Sequence, residues 1–240
     1  MRFETERMMV RSFQEGDLPD LQEILGDAQT MVYMEPPYTL EQTARFLQDF
    51  CIGRKGALAA EDKASGRVIG YLLCNEIQDD IYEIGWIFNR RIWRQGYAYE
   101  ACCSLVDYAF FSLHAHKLLA ETIDPLKSAG LMRKLGMELE GVQRGQVKDN
   151  GGQWVDLYLY GLLRETWEGR RILLAEDNMM NREITRHMLK DTGLIIDEAC
   201  NGAEAVEKVS EAEAGYYCLV LMDIQMPVMD GYQASGIIRN

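Results

Sequence analysis

The six cysteines (Cys51, Cys74, Cys102, Cys103, Cys200, Cys218) include no CxxC pair, and none of the three histidines stands at ligand spacing from them. Neither a zinc site nor a disulfide framework is therefore indicated, and the thiols read as small buried hydrophobes or inert groups. No apolar run approaches the ~20 residues that cross a bilayer, and the N-terminal MRFETERMMV lacks the apolar core of a signal peptide. The expectation is a cytoplasmic, unanchored protein. Basic residues are in deficit, 25 Lys and Arg against 38 Asp and Glu, and the net charge of -13 opposes broad contact with phosphate backbones or anionic lipid. Neither nucleic acid nor membrane is therefore an expected partner. Proline is scarce and no repeat appears, so the 240 residues read as a globular chain able to bury one large core or two modest ones.

Hydrophobic periodicity divides the chain near Glu168-Gly169-Arg170 into 1–168 and 169–240. In the first part MMVRSF (8–13) alternates as a strand, and Asp17 is placed to cap a helix carrying Leu18, Leu21 and Ile24. Thr39 opens a second helix over about 40–51. GALAAE (56–61), VIGYLLCNEI (68–77) and IYEIGWIF (81–88) are strands, and Gly96 opens a long helix with Ala98, Ala101, Cys102, Leu105, Ala109 and Leu113 on one side. KLLAETI (117–123) is a strand, DPLKSAGLMRKLG (124–136) a helix, and two strands flank Asn150-Gly151-Gly152. This predicts an α+β fold with a mostly antiparallel mixed sheet flanked by helices. The second part reads βαβαβ: RILLA (171–175), an Asn178-capped helix with Met180, Ile184, His187 and Met188 on one face, LIIDEA (194–199), a helix over about 202–212, and YYCLVLM (216–222).

A strand, a turn and a helix N-terminus make an anion site, because the first helical amides have no intrahelical acceptor and the helix dipole favours negative charge. Gln95, Gly96, Tyr97 and Ala98 would present those amides, with Arg90, Arg91 and Arg94 nearby. The geometry suits a diphosphate, and an ordinary helix cap is the alternative.

ETERMMVRSF near the start, WRQGYAYEA at this loop and DPLKSAGLMRKLGM at the penultimate helix of the first part follow in the order of the GNAT superfamily of acetyl-CoA-dependent N-acetyltransferases. Residues 1–167 resemble in particular the branch that acetylates N-terminal amines of ribosomal proteins. The resemblance implies acetyl-CoA with its pyrophosphate on the amides of residues 95–98, contacts from Arg91 and Arg94, and pantetheine beside a strand 81–88 that splays from strand 117–123. Trp93 stands where the family commonly has Arg or Gln, and Arg94 where glycine is common.

Acetyl transfer needs a neutral amine, a donor for the developing oxyanion and a proton for the departing thiolate. Glu83 is the candidate base, directly or through water, with an ion-paired strand carboxylate as the alternative. By resemblance the amides near Ile87 and Phe88 hold the thioester oxygen. Many relatives carry a tyrosine on helix 126–135, where this chain has Met132. Ser128 resembles the serine this branch uses near the sulfur, its alternative being a hydroxyl bonded to its own helix. Asp124 occupies a position where asparagine commonly contacts the cofactor.

In the second part an acidic pair after one parallel strand and a lone Asp after another gather three carboxylates at the C-terminal edge of a sheet, a donor set for a hard divalent cation. Glu176, Asp177 and Asp223, with the carbonyl of Gln225, resemble the Mg²⁺ and phosphoryl site of two-component receiver domains. RILLAEDN and LVLMDIQMPVMDGYQA match receivers attached to hybrid histidine kinases. The resemblance implies Asp223 as phosphoacceptor in a partial flavodoxin-like α/β unit with strands in the order 2-1-3. The Ser/Thr after a fourth strand and the Lys after a fifth are not among the 240 residues. The expectation is an incomplete receiver that serves as a vestigial regulatory module or joins two copies in a homodimer through the open YYCLVLM edge. The expected activity of the chain is transfer of acetyl from acetyl-CoA to a primary amine, on a protein N-terminus or a small molecule, by direct attack in a ternary complex. The alternatives are a non-catalytic CoA-binding signalling protein and a fragment of a phosphorylation-regulated acetyltransferase-receiver fusion.

Overall fold

The structure is a computed structural model that describes residues 2–168, 171–190, 194–212 and 216–239. It divides into two compact units, Met1–Leu162 and Leu163–Asn240. The junction expected around Glu168-Gly169-Arg170 includes residues 169 and 170, which lie outside the described residues.

In the first unit, strands β1 (Arg2–Glu4) and β2 (Met8–Ser12) pair as a hairpin and lead into helices α1 (Leu18–Leu25) and α2 (Leu40–Phe46). Strands β3 (Leu58–Asp62), β4 (Val68–Gln78) and β5 (Ile81–Phe88) follow, then helix α3 (Tyr97–Asp107), strand β6 (Lys117–Thr122), helix α4 (Lys127–Lys134) and strands β7 (Glu138–Lys148) and β8 (Trp154–Leu163). All eight strands form one sheet in the order β1-β2-β3-β4-β5-β6-β8-β7. Pairing is antiparallel from β1 to β5 and between β7 and β8, whereas β5 and β6 run parallel. This is the mixed sheet the sequence predicts, with β1 added. Three residues, Arg-Phe-Glu, are too few to show an alternation.

Leu21, Ile24 and Leu25 of α1 pack with Leu47 and Cys51 beyond α2 and with Ala59, Tyr71 and Ile87 of the sheet. Burying each large aliphatic side chain in this cluster stabilises the unit by roughly 2 kcal/mol. Helix α3 lies against β4 and β5 through buried Ala101, Cys102, Leu105 and Val106, and a wider π turn, Tyr108–Ser112, completes the long helical segment expected from Gly96 onward. Burial pushes the Cys51 and Cys74 thiols up to about 12, which makes them unreactive as expected, but Cys200 and Cys218 are exposed.

Asp17 departs from its expected role. It stands at the N-cap of α1 without a side-chain cap bond. Its carboxylate instead receives Arg11 through two bonds of 2.8 and 2.9 Å and the amide of Gln14 at 2.8 Å, while Arg11 Nε reaches Glu61 at 2.6 Å. A fork of guanidinium donors outcompetes a single helix amide for a carboxylate that is only 8% exposed. Removing one partner from so enclosed a pair costs about 3 kcal/mol, because the other charge is left without compensation.

The second unit runs α5 (Arg164–Glu168), β9 (Arg171–Ala175), α6 (Met179–Leu189), β10 (Ile195–Ala199), α7 (Gly202–Glu211), β11 (Leu219–Met222) and α8 (Gly231–Ile238). Its sheet is parallel in the order β10-β9-β11, which is the predicted 2-1-3 order, with β9 buried throughout. Asn178, Asn201 and Asp230 cap α6, α7 and α8 through their side chains. The apolar stripe on α6 is not in the core: Met180, Ile184 and Met188 are 72%, 52% and 75% exposed. Among the described residues no helix is long and apolar enough to cross a membrane.

Candidate functional site

Strands β5 and β6 pair only over Ile81↔Lys117, Tyr82↔Leu118 and Glu83↔Leu119. Beyond that register β5 runs on to Phe88 and β6 to Thr122 as the two separate. The wedge holds a cavity of about 370 Å³ lined by Glu83 and Ile87 from β5, Glu121 from β6, Ser128 and Met132 from α4, and Glu35 from the segment after α1. The strand splay, Glu83 and Ser128, each expected from sequence, therefore meet in one cavity.

The backbone of β5 discriminates between the two predicted oxyanion donors. Asn89 N–H donates to Ile69 C=O on the β4 side at 2.8 Å. Because strand amides alternate sides, Phe88 N–H turns toward the wedge while Ile87 N–H turns back toward β4. The carbonyl of Phe88 accepts the Trp93 indole N–H at 2.8 Å, so Trp93 anchors the loop to the end of β5.

In the loop, Gly96 has φ +86° at the N-cap of α3, and Arg94 has φ +61°. A glycine would adopt this left-handed backbone freely, whereas the side chain of Arg94 enters it at a cost of order 1 kcal/mol. Arg91 is engaged by Glu23 at 2.9 Å, and Arg90 by Asp27 at 3.4 Å and Gln29 at 3.0 Å. Exposed Arg94 has no ion-pair partner among the described residues, and Gln95, Gly96, Tyr97 and Ala98 lead into the first turn of α3 as predicted. Asp124 is 2% exposed and spends its carboxylate on the amides of Leu126, Lys127 and Ser128 at 3.0 to 3.1 Å. It thus fixes the start of α4 and the place of Ser128.

Glu121 and Glu35 are cavity carboxylates that sequence reasoning missed. Glu121 lies in a short apolar strand whose alternation puts it beyond the last paired residue, a position visible only once the register is known. Partial burial, followed by the charge of Glu83, raises the Glu121 carboxyl above the usual range. Lys148 also borders the cavity. Glu83 and Glu121 have no ion-pair partner among the described residues, so the cavity presents negative charge to whatever enters it.

In the second unit, carboxylate oxygens of Glu176, Asp177 and Asp223 lie within 4.8 Å of one another. Glu176 accepts from the Asn178 amide at 3.2 Å and the Asn181 side chain at 3.1 Å, and Asp223 accepts from the Gln225 amide at 3.4 Å. Three hard oxygen donors at this spacing are a set that could hold a hard divalent cation. The loop after Asp223 has Val228 at φ +70°, inside a tight turn closed by Met229 N–H on Pro227 C=O at 2.8 Å.

The wedge beside a helix N-terminus and the carboxylate cluster define two classes of domain. Residues 7–138 match the acetyltransferase (GNAT) domain model and residues 172–240 the response regulator receiver domain model. The chain belongs to the GNAT acetyltransferase family and carries a receiver domain after its acetyltransferase domain. It is 30% identical over 174 residues to the uncharacterized N-acetyltransferase YnaD of Bacillus subtilis, covering 70% of this chain and 99% of that protein. The receiver portion is 54% identical over 69 residues to hybrid signal transduction histidine kinase B of Dictyostelium discoideum, 29% of this chain and 3% of the kinase. Among solved structures, a GNAT-family acetyltransferase from Bacillus anthracis superposes with a TM-score of 0.64 at 27% identity, over 69% of this chain and 99% of that one. The spermidine N-acetyltransferase of Vibrio cholerae, in complex with CoA and spermine, gives 0.59 at 20% identity over 67% and 98%, a likeness of fold.

A carboxyl whose folded pKa is raised binds an extra proton in the fold, so stability falls as pH rises from the ordinary 4.5 through the raised value. Glu121→Gln removes that fall. Its melting temperature is expected to equal the wild type at pH 4 and to exceed it at pH 7, which calorimetry checks. Equal melting at both values would show that the Glu121 carboxyl is not raised in the folded chain.

Proposed function

We propose that the first unit transfers acetyl from acetyl-CoA to a primary amine by direct attack in a ternary complex. The observation that carries this reading is the meeting of Glu83, Glu121 and Ser128 in the wedge between β5 and β6. CoA would lay its diphosphate on the amides of Gln95, Gly96, Tyr97 and Ala98, with Arg94 as the nearby free charge and Arg91 as a second, partly neutralised one. Its thioester arm would enter the wedge beside Ile87 and Phe88. The CoA bound in the Vibrio cholerae relative supports the same class of donor.

Each role follows from the chemistry each group can do. A cationic amine is drawn to the cavity carboxylates, and Glu83 takes its proton so that the nitrogen lone pair can attack. Phe88 N–H faces the wedge and stabilises the charge that develops on the thioester oxygen. Ser128, set by Asp124, offers its hydroxyl to the departing sulfur. The carboxylates favour an acceptor bearing positive charge, whether a protein N-terminus or a small-molecule amine.

For the second unit we propose Mg²⁺ held by Glu176, Asp177, Asp223 and the Gln225 carbonyl, with Asp223 as the group that accepts phosphate. The ion would supply charge neutralisation at that carboxylate. The homodimer belongs to the same proposal. Strand β11 pairs with β9 on one side, no described strand lies on the other, and Leu219 is 49% exposed.

Glu83→Gln is expected to lower turnover by about 100- to 10,000-fold, the usual worth of a general base, while CoA affinity stays nearly unchanged. Thiol release from acetyl-CoA against a panel of polyamines, aminoglycosides and N-terminal peptides measures it, and undiminished turnover removes Glu83 as the base. Calorimetric titration with Mg²⁺ should show one site that Asp223→Asn abolishes. A site unaffected by that change lies elsewhere. Sedimentation should give a dimer for the chain and a monomer for Leu219→Lys, which charges the β11 edge, and a monomeric wild type refutes the pairing.

A further inference from the structure

The segment ETERMMVRSF has no part in the chemistry above, yet its turn is built against the cofactor loop. Between β1 and β2, Thr5 Oγ1, Arg7 N and Arg7 Nε all donate to the Glu100 carboxylate, at 2.5, 2.8 and 2.6 Å. Glu100 lies in the first turn of α3, one turn beyond Gly96. The Arg7 guanidinium, held there, stacks 4.0 Å from the Tyr97 ring centroid and donates Nη1 to the Gln95 carbonyl at 2.9 Å. Its Nη2 stands 3.3 Å from where a Cβ on residue 96 would lie.

The bond to Gln95 has a directional consequence. No cis peptide occurs among the described residues, so the carbonyl of Gln95 and the N–H of Gly96 lie in one peptide plane and point in opposite directions. With the carbonyl turned to Arg7, the Gly96 N–H is turned away from it, and that N–H donates to no acceptor among the described residues. At φ +86° a glycine gives the peptide little resistance to flipping, and a flip would aim the carbonyl where an anion must sit.

We propose that Arg7, oriented by Glu100, is a positioning residue that holds the Gln95-Gly96 peptide with its N–H presented to the CoA diphosphate. This rests on the reading that the diphosphate binds at residues 95–98. Burial raises the Glu100 carboxyl, but hydrogen bonds from Thr5 and Arg7 more than offset it and keep the group below the usual carboxylate range. The anchor is therefore charged throughout the neutral range. Gly96 serves the same device twice, by adopting a left-handed backbone and by leaving room for Arg7 Nη2.

The test compares CoA with pantetheine, which lacks the diphosphate, on the full chain and on Arg7→Gln, Arg7→Lys and Glu100→Gln. CoA affinity comes from calorimetry and pantetheine affinity from displacement of CoA. Arg7→Gln should weaken CoA about tenfold, the scale of one charge-assisted hydrogen bond, and leave pantetheine unchanged. Arg7→Lys should show most of the same loss, because an ammonium lacks the planar fork that spans Glu100 and Gln95. Full rescue by lysine would mean simple charge attraction and would overturn the proposal. So would equal losses for both ligands, or no loss for either. If Arg7→Gln loses its cooperative melt, Glu100→Gln carries the comparison, with the same selective loss of CoA expected. Wild-type protein that binds pantetheine as tightly as CoA would remove the loop from diphosphate binding altogether, and the proposal with it.

Discussion

The acetyltransferase unit depends on the point at which two parallel strands stop pairing. From Tyr82 to Phe88, β5 keeps a continuous ladder with β4, with one irregularity at Glu76 and Gln78 opposite its start. On its other side the ladder to β6 ends at Glu83↔Leu119. Backbone groups on that edge, Phe88 N–H among them, then lack a strand partner. In a packed interior such groups are costly unless something else satisfies them. A thioester arm lying in the gap as a third strand would restore what the sheet gave up, so the same separation creates both the space and the hydrogen-bonding demand.

Charge is distributed around this gap with the same logic. Asp17 and Glu61 share Arg11, Asp20 and Glu23 share Arg67, and Glu100 holds Arg7. These pairs fasten the sheet to α1, to the first hairpin and to α3. Glu83 and Glu121, by contrast, both line the wedge, and partial burial, followed by the charge of Glu83, displaces the Glu121 carboxyl upward. Under the proposed function a cationic acceptor would offset that charge. In this unit the negative balance of the chain is concentrated in the wedge, where Glu83 and Glu121 have no ion-pair partner among the described residues.

The receiver unit uses the end of a parallel sheet in a comparable way. Strands β9 and β11 run side by side and deliver Glu176, Asp177 and Asp223 to one edge. The Asn178 cap holds the first turn of α6 beside them, and Gly231 lets α8 begin against the Asp223 carbonyl, where any Cβ would collide. Helix caps and a close backbone approach keep three like charges together that would otherwise repel.

Much of this architecture was legible because it is local. Ile81–Phe88 and Arg171–Ala175 alternate or run apolar over their whole length, and Asn178 and Thr39 cap as their side-chain chemistry requires. The Glu176, Asp177 and Asp223 cluster could be read because strand order fixes which ends meet, and Gly96 because a helix N-terminus that takes an anion needs a residue without a side chain where the ligand oxygen approaches. What the sequence could not decide depends on register and on distant partners. Asp17 reads as a cap until Arg11 and Glu61 are brought beside it. Glu121 is an ordinary strand carboxylate until the ladder is seen to end two residues earlier, and Arg7 is an ordinary surface cation until the fold sets it against a loop 88 positions away. Propensity and periodicity act over a few residues, whereas competition for a charge and the choice between a peptide's two faces are settled only when tertiary packing fixes which groups can reach one another.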